Sequence, residues 1–189
     1  MVHDHLLIIG GTGMLKEASI ALAQRCAVLT SVARTERSLS TLDRALTGAS
    51  VVHHMLALDW TRPVEFLSHL VRHVDHVGRP SLVLAWLHHD DLGPDVARAI
   101  APSHGKCDFF QIRGSAAANP SAGAEFFLPQ NSLPQGLTFH QIMLGFHTDE
   151  HGSRWLRDSE ICAGVLAAID KPGIGIDVVG TLTPWSARP

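Results

Sequence analysis

Three glycines in four residues, Gly10-Gly11-Thr12-Gly13, close the apolar run Leu6-Leu7-Ile8-Ile9. Glycines between a strand and a helix permit a tight turn and let backbone amides approach a pyrophosphate at the helix N-terminus. The context points to nucleotide binding, with a plain turn as the alternative. Lys16 stands where a further glycine would let helix and strand pack closely, so its side chain must point outward or toward phosphate. A second group, Ala33-Arg34-Thr35-Glu36-Arg37, follows the next apolar run. No acid ends that run to hold ribose hydroxyls, whereas Arg34, Thr35 and Arg37 suit a phosphate dianion, which predicts NADP over NAD. The alternative is that both arginines are ordinary surface residues of the following helix, although the helix dipole disfavours cations there. A third group lies just past strand ends: His88-His89-Asp90-Asp91, Ser115, and His147 with Asp149, Glu150 and His151. A histidine titrates near neutrality and can supply a proton, so His88 is the first candidate acid, and Ser115 can hydrogen-bond a substrate oxygen. Each has a structural alternative, a helix cap or a sheet-end hydrogen bond.

Those groups need positioning elements, and the chain alternates them. Apolar runs at Leu6 to Ile9, Ala27 to Ala33, Val51 to Leu58, Ser81 to Leu87, Cys107 to Arg113, Leu137 to Leu144 and Ile174 to Val179 read as strands. Between them, helical periodicity covers Met14 to Arg25, Thr35 to Leu46, the stretch opened by Pro63 and running to Val77, Pro94 to Ala101, and Asp158 to Ile169. Parallel neighbours need crossover connections, so the alternation predicts an α/β doubly wound, mainly parallel sheet with helices on both faces. Ser115 to Gly136 lacks periodicity and is expected to lie over a site. The tail after Gly180 is expected to be irregular, and Trp155 to act as a lid or an anchor.

Composition narrows the partners. The 189 residues, 46% hydrophobic and 17% charged, suit one continuous domain over residues 1–189. A net charge of −3 with scattered basic residues gives no nucleic-acid footprint. No apolar run approaches the roughly 20 residues of a membrane span, so a cytoplasmic chain is expected. The three cysteines, Cys26, Cys107 and Cys162, show no CxxC spacing and support neither a disulfide framework nor a thiolate zinc site. His69, His73 and His76 share helical spacing but flank the apolar arc, so a solvated face is the reading and no metal is assigned.

Gly10 to Leu15, Val32-Ala33-Arg34, Leu58-Asp59-Trp60, Ile112-Arg113-Gly114-Ser115 and Leu144-Gly145 together resemble the short-chain dehydrogenase/reductase family, in order and over nearly the whole chain. Ala85-Trp86-Leu87-His88 and Ser153-Arg154-Trp155-Leu156 are similar to a small, atypical bacterial branch of it. The resemblance implies that Gly10, Gly11, Thr12, Gly13, Met14 and Leu15 contact the pyrophosphate, Asp59 the adenine amine, Ala85 the ribose, and Gly145 with Phe146 the nicotinamide amide. Trp60 joins these candidates beside Asp59, with packing as its alternative role, as for Trp86. The family's chemistry rests on a tyrosine and a lysine four residues later, on the helix after the fifth strand. This sequence has no tyrosine, and its lysines, Lys16, Lys106 and Lys171, lie elsewhere. The Asn-Ala-Gly turn of the family is replaced by Ala85-Trp86-Leu87-His88.

Three readings remain. One is an NADP-dependent oxidoreductase on a small carbonyl or alcohol, with His88 and Ser115 in place of the tyrosine. Another is a non-catalytic NADP(H) sensor or accessory protein, and a third reading has no dinucleotide at all. A homodimer is possible, without the helix pair that usually builds the family's interface.

Overall fold

A computed structural model describes residues 3–87, 92–119, 133–173 and 175–189. Seven strands form one parallel sheet in the order β3-β2-β1-β4-β5-β6-β9. They are β1 (His3–Ile9), β2 (Cys26–Ala33), β3 (Val52–Ala57), β4 (Leu82–Trp86), β5 (Cys107–Gly114), β6 (Leu137–Leu144) and β9 (Ile176–Val179). The helices are α1 (Lys16–Ala23), α2 (Glu36–Ala45), α3 (Pro63–Val77), α4 (Leu92–Ala99) and α5 (Asp158–Asp170). This is the doubly wound arrangement expected, and the order reverses between β1 and β4.

The pleat explains the two layers. Leu6 and Ile8 of β1 join Leu84, Phe110 and Ile142 on the face covered by α1 and α5. Their neighbours Leu7 and Ile9 join Val83, Ala85 and Phe109 on the face covered by α3 and α4. Burial on both faces is why these strands read as continuous apolar runs rather than alternating ones.

Three features add to or differ from the sequence reading. Gly145 is followed by an antiparallel hairpin, β7 (Phe146–Asp149) and β8 (Gly152–Trp155), where only polar residues past a strand end were expected. Its strands are four residues each, too short for periodicity to register. The tail, largely irregular as expected, is docked on the hairpin: Thr181 forms an antiparallel bridge with Phe146, and Trp185–Ala187 makes one 3-10 turn. His73 does not share a solvated face. Its Nε2 lies 2.9 Å from the Thr30 hydroxyl, which in turn lies 2.9 Å from His5 Nε2. After β5, Ser115–Ala118 is a 3-10 turn, and part of the irregular stretch that follows lies outside the described residues. Among the described residues no helix is long and apolar enough to cross a membrane.

Candidate functional site

The carboxyl ends of the strands carry two neighbouring cavities. The first, about 240 Å³, sits at the switch point and is lined by Gly10, Thr12, Gly13 and Met14 together with Ala33, Arg34, Thr35, Ser38, Trp60 and Trp86. Its floor depends on glycine. Gly10 has φ +77°, and a Cβ there would run into the Trp86 carbonyl oxygen. A Cβ on Gly11 would meet Ile8 and the Ser19 hydroxyl. Ser19 ties the turn down by donating to the carbonyls of Gly11 (2.9 Å) and Leu15 (3.0 Å). Gly13, by contrast, has open space at its Cβ position, so a ligand can approach its backbone.

The far wall of this cavity is cationic. Arg34 is exposed, with its guanidinium carbon 5.2 Å from the centroid of the buried Trp60 ring. Thr35 is the N-cap of α2: its hydroxyl accepts from Ser38 N–H at 3.3 Å and sits 2.7 Å from the Ser38 hydroxyl. Arg37 lies exposed on α2, outside the lining. Asp59 is exposed and accepts from Thr61 N–H at 3.0 Å, a bond that lowers its pKa, and it also lies outside the lining. None of the described residues lining this cavity is acidic.

The second cavity, about 180 Å³, is lined by Gly114, Ser115, Leu144, Gly145, Trp155, Leu156 and Ile161. Trp86 stands between the two, since it lines the first and its indole lies 3.7 Å from the Cβ position of Gly114 in the second. Gly145 is pinned against the tail, and a Cβ there would collide with the Thr181 carbonyl oxygen. The Ser115 side chain is buried and engaged: its oxygen accepts from Arg188 Nε at 3.0 Å. The Arg188 guanidinium carbon sits 4.8 Å from the Trp155 centroid and 5.3 Å from that of Trp185.

Arg154 braces this side, donating from both terminal nitrogens to Glu160 at 2.8 Å each. Those bonds, with a further one from Arg157 N–H, hold the Glu160 carboxyl down at about 2. Burial pushes the Cys26 and Cys107 thiols up, to about 11 and about 12, and all three cysteines are free and buried, so none is poised as a nucleophile.

The structure thus brings Gly10, Thr12, Gly13, Met14, Arg34, Thr35 and Trp60 together around one cavity, and Ser115 with Gly145 around the other. Gly11 and the fully buried Leu15 sit behind the turn rather than in the lining. Ala85 is buried in β4, and Phe146 is buried where it pairs with Thr181. His88 lies outside the described residues, as do His89, Asp90 and Asp91. His147, Asp149 and His151 bond among themselves on the hairpin rather than lining either cavity: His147 Nε2 is 3.1 Å from Asp149, which accepts from His151 N–H at 2.8 Å. Among the described residues no group of three or more histidine, cysteine or acidic side chains is placed to hold a metal. Sequence reasoning missed Arg188 and the wall formed by Trp86. The only signal for the former is a lone arginine three residues after a tryptophan in a tail otherwise rich in proline and threonine.

No protein-family model and no curated protein matches the sequence. Solved structures do match in fold. The bulky-bulky ketone specific alcohol dehydrogenase from Comamonas testosteroni superposes with a TM-score of 0.73 at 14% identity, over 97% of this chain and 88% of that one. A short-chain dehydrogenase from Sphingobium yanoikuyae, in complex with NADPH, gives 0.69 at 16% identity, over 97% and 91%. A proposed D-mannonate oxidoreductase from Haemophilus influenza, with bound NAD, gives 0.71 at 11% identity, over 98% and 96%. At these identities the likeness establishes the fold.

Proposed function

We propose that the chain binds NADP(H) across the two cavities and acts as an oxidoreductase on a small carbonyl or alcohol. The observation that carries this reading is the first cavity: an open glycine turn at one end, Arg34 at the other, and no acidic residue among the described residues of its lining. Gly10, Thr12, Gly13 and Met14 would take the pyrophosphate, and Arg34 a 2′-phosphate, with Trp60 holding its guanidinium plane. Arg37 is close enough in sequence to join Arg34 if its side chain swings from α2. Trp86 separates the ends of the site, and Gly145 opens the second cavity to the nicotinamide end. That cavity, about 180 Å³, exceeds the roughly 150 Å³ that accepts a benzene ring.

When bound, the dinucleotide supplies or takes up a hydride. The chain's own contribution is a polarised hydroxyl. Arg188 Nε–H donates to the Ser115 oxygen, which leaves the hydroxyl hydrogen of Ser115 free to point at a substrate oxygen and makes it a better donor. His88 remains the proposed proton donor past β4. The likeness in fold to NADPH- and NAD-bound dehydrogenases supports the cofactor class.

The test is a calorimetric titration with NADPH and NADH at matched ionic strength. NADPH should bind at least about 10-fold more tightly, and Arg34→Ala should remove most of that preference, as expected for a lost charge-assisted phosphate contact. Binding of neither dinucleotide overturns the reading. A second reading, a non-catalytic NADP(H) sensor, is favoured by the absence of tyrosine and by the engagement of Ser115 with Arg188. Its mark is binding without turnover on any carbonyl substrate, in wild type and His88→Ala alike.

A further inference from the structure

Arg188 adjoins the second cavity through Ser115, and the oxidoreductase reading uses only its Nε–H. Its half-buried side chain is fixed from three sides: Ser115 takes its Nε–H at 3.0 Å, and Trp155 and Trp185 flank the guanidinium at 4.8 and 5.3 Å. The same plane carries two terminal nitrogens with four further N–H donors. No carboxylate among the described residues pairs with it, although Arg25, Arg62, Arg79, Arg98 and Arg154 all have such partners. A guanidinium that is oriented, stacked and left without an acid is preorganised for a planar oxyanion, because its fork matches a carboxylate in two parallel bonds.

Position gives the anion a meaning. Ser115 lines the cavity that would take the nicotinamide end, and Arg188, which is not among the described residues of that lining, is bonded to it, so the two donors are adjacent. The remaining lining is largely apolar, with Leu144, Leu156, Ile161 and the Trp155 ring. A ligand that satisfies both has a carbonyl oxygen for Ser115, a carboxylate for Arg188 within a few bonds of it, and a short apolar body.

We propose that the substrate is a small oxo acid, or the corresponding hydroxy acid, whose carboxylate is bound by Arg188. This rests on the oxidoreductase reading above for the identity of the reaction, but the anion site itself is a binding property. In the reductive direction the carbonyl carbon receives a hydride and its oxygen a proton, giving the hydroxy acid while the carboxylate stays unchanged on Arg188.

The experiment titrates 2-oxobutanoate, 3-oxobutanoate and 4-oxopentanoate, and the methyl ester of each, into free and NADPH-loaded protein. Tryptophan fluorescence serves as the readout because Trp155 and Trp185 flank the guanidinium. The acid of the right spacing should bind at least about 10-fold more tightly than its ester, a difference that Arg188→Gln abolishes and Arg188→Lys restores in part. Arg188→Gln should leave NADPH affinity within about twofold. Ser115→Ala, which keeps the charge, should weaken acid and ester together. Equal binding of acid and ester, no binding of any acid to the loaded protein, or a preference that survives Arg188→Gln would each overturn the proposal. If NADPH fails to bind while Arg188-dependent acid binding persists in the free protein, the cofactor reading falls and the anion site stands. If neither NADPH nor any acid binds, both fall.

Discussion

The two cavities at the strand ends are built in opposite ways. The one at the switch point is made by two short contiguous stretches, residues 10–14 and 33–38, with Trp60 and Trp86 as walls. The one beyond Trp86 joins Ser115 to Arg188 across 73 positions and depends on a hairpin and a tail being folded against β6. Most of the first site's lining therefore comes from two consecutive strand–turn–helix units. A site assembled from distant segments exists only when the whole chain is in place, and its chemistry can be changed by the last few residues alone.

The sharpest way to break this contrast is at the glycines that seat each cavity. Gly10→Ala forces an L side chain into φ +77° and drives its Cβ against the Trp86 carbonyl. Strain of about 1–2 kcal/mol and overpacking of about 1–3 kcal/mol combine to a loss of about 3 kcal/mol. Urea unfolding should show it, and NADPH binding should be lost even where the variant is folded. Gly145→Ala carries the collision with the Thr181 carbonyl but no positive φ, so a smaller loss of about 2 kcal/mol is expected. Its distinguishing mark is local: proteolysis of the tail should accelerate, and NADPH affinity should fall less than in Gly10→Ala while its dependence on Arg34 persists. Equal effects of both variants on NADPH binding would show that the two cavities do not behave separately.

Thr35 sharpens the comparison at lower cost. Its hydroxyl caps α2 in the structure, so Thr35→Ala should cost about 1 kcal/mol and Thr35→Ser should recover it. If the same hydroxyl also reaches phosphate, NADPH affinity should fall more than NADH affinity in Thr35→Ala. An unchanged ratio would confine Thr35 to capping.

This division also governs what the sequence disclosed. The glycine turn, the alternation of strands with helices and the arginine at the end of β2 were legible because each is a contiguous pattern with a mechanical reason behind it. Pro63 opens α3 as its fixed φ suggests, and the apolar runs are strands because both sheet faces are covered. The hairpin Phe146–Trp155 was not legible, since four-residue strands with a polar tip leave no period to detect. Nor was the place of Arg188, because a tail's docking depends on the partners it meets, here Phe146, Ser115 and Trp155. His73 was misread for the same reason: spacing put it beside the apolar arc, and only the approach of Thr30 on β2 turns it inward.

The histidines under β1 and β2 give the smallest effect and separate the halves by pH. His5 Nδ1 lies 2.6 Å from the Gly78 carbonyl and must donate to it, so in the neutral ring Nε2 accepts from the Thr30 hydroxyl, and Thr30 in turn accepts from His73. Burial lowers the pKa of His5, His73 and His3 below the ordinary 6.5. The unfolded chain therefore binds more protons than the folded one just below that value. The stability given by these neutral rings is complete above about 6.5 and drains as the pH falls through it toward the lower folded values. On the other side of the sheet Asp108 behaves differently. The hydrogen bond from His140 at 3.2 Å depresses its carboxyl, so its contribution is present above the ordinary carboxylate value of 3.8 and is lost only in stronger acid. Between pH 7.5 and 5 the urea midpoint should fall, His5→Gln should flatten that fall, and Asp108→Asn should change its slope only through His3, whose pKa the Asp108 charge raises. A slope that responds to Asp108 and not to His5 would place the acid-sensitive element where Asp108 of β5 meets His140 of β6.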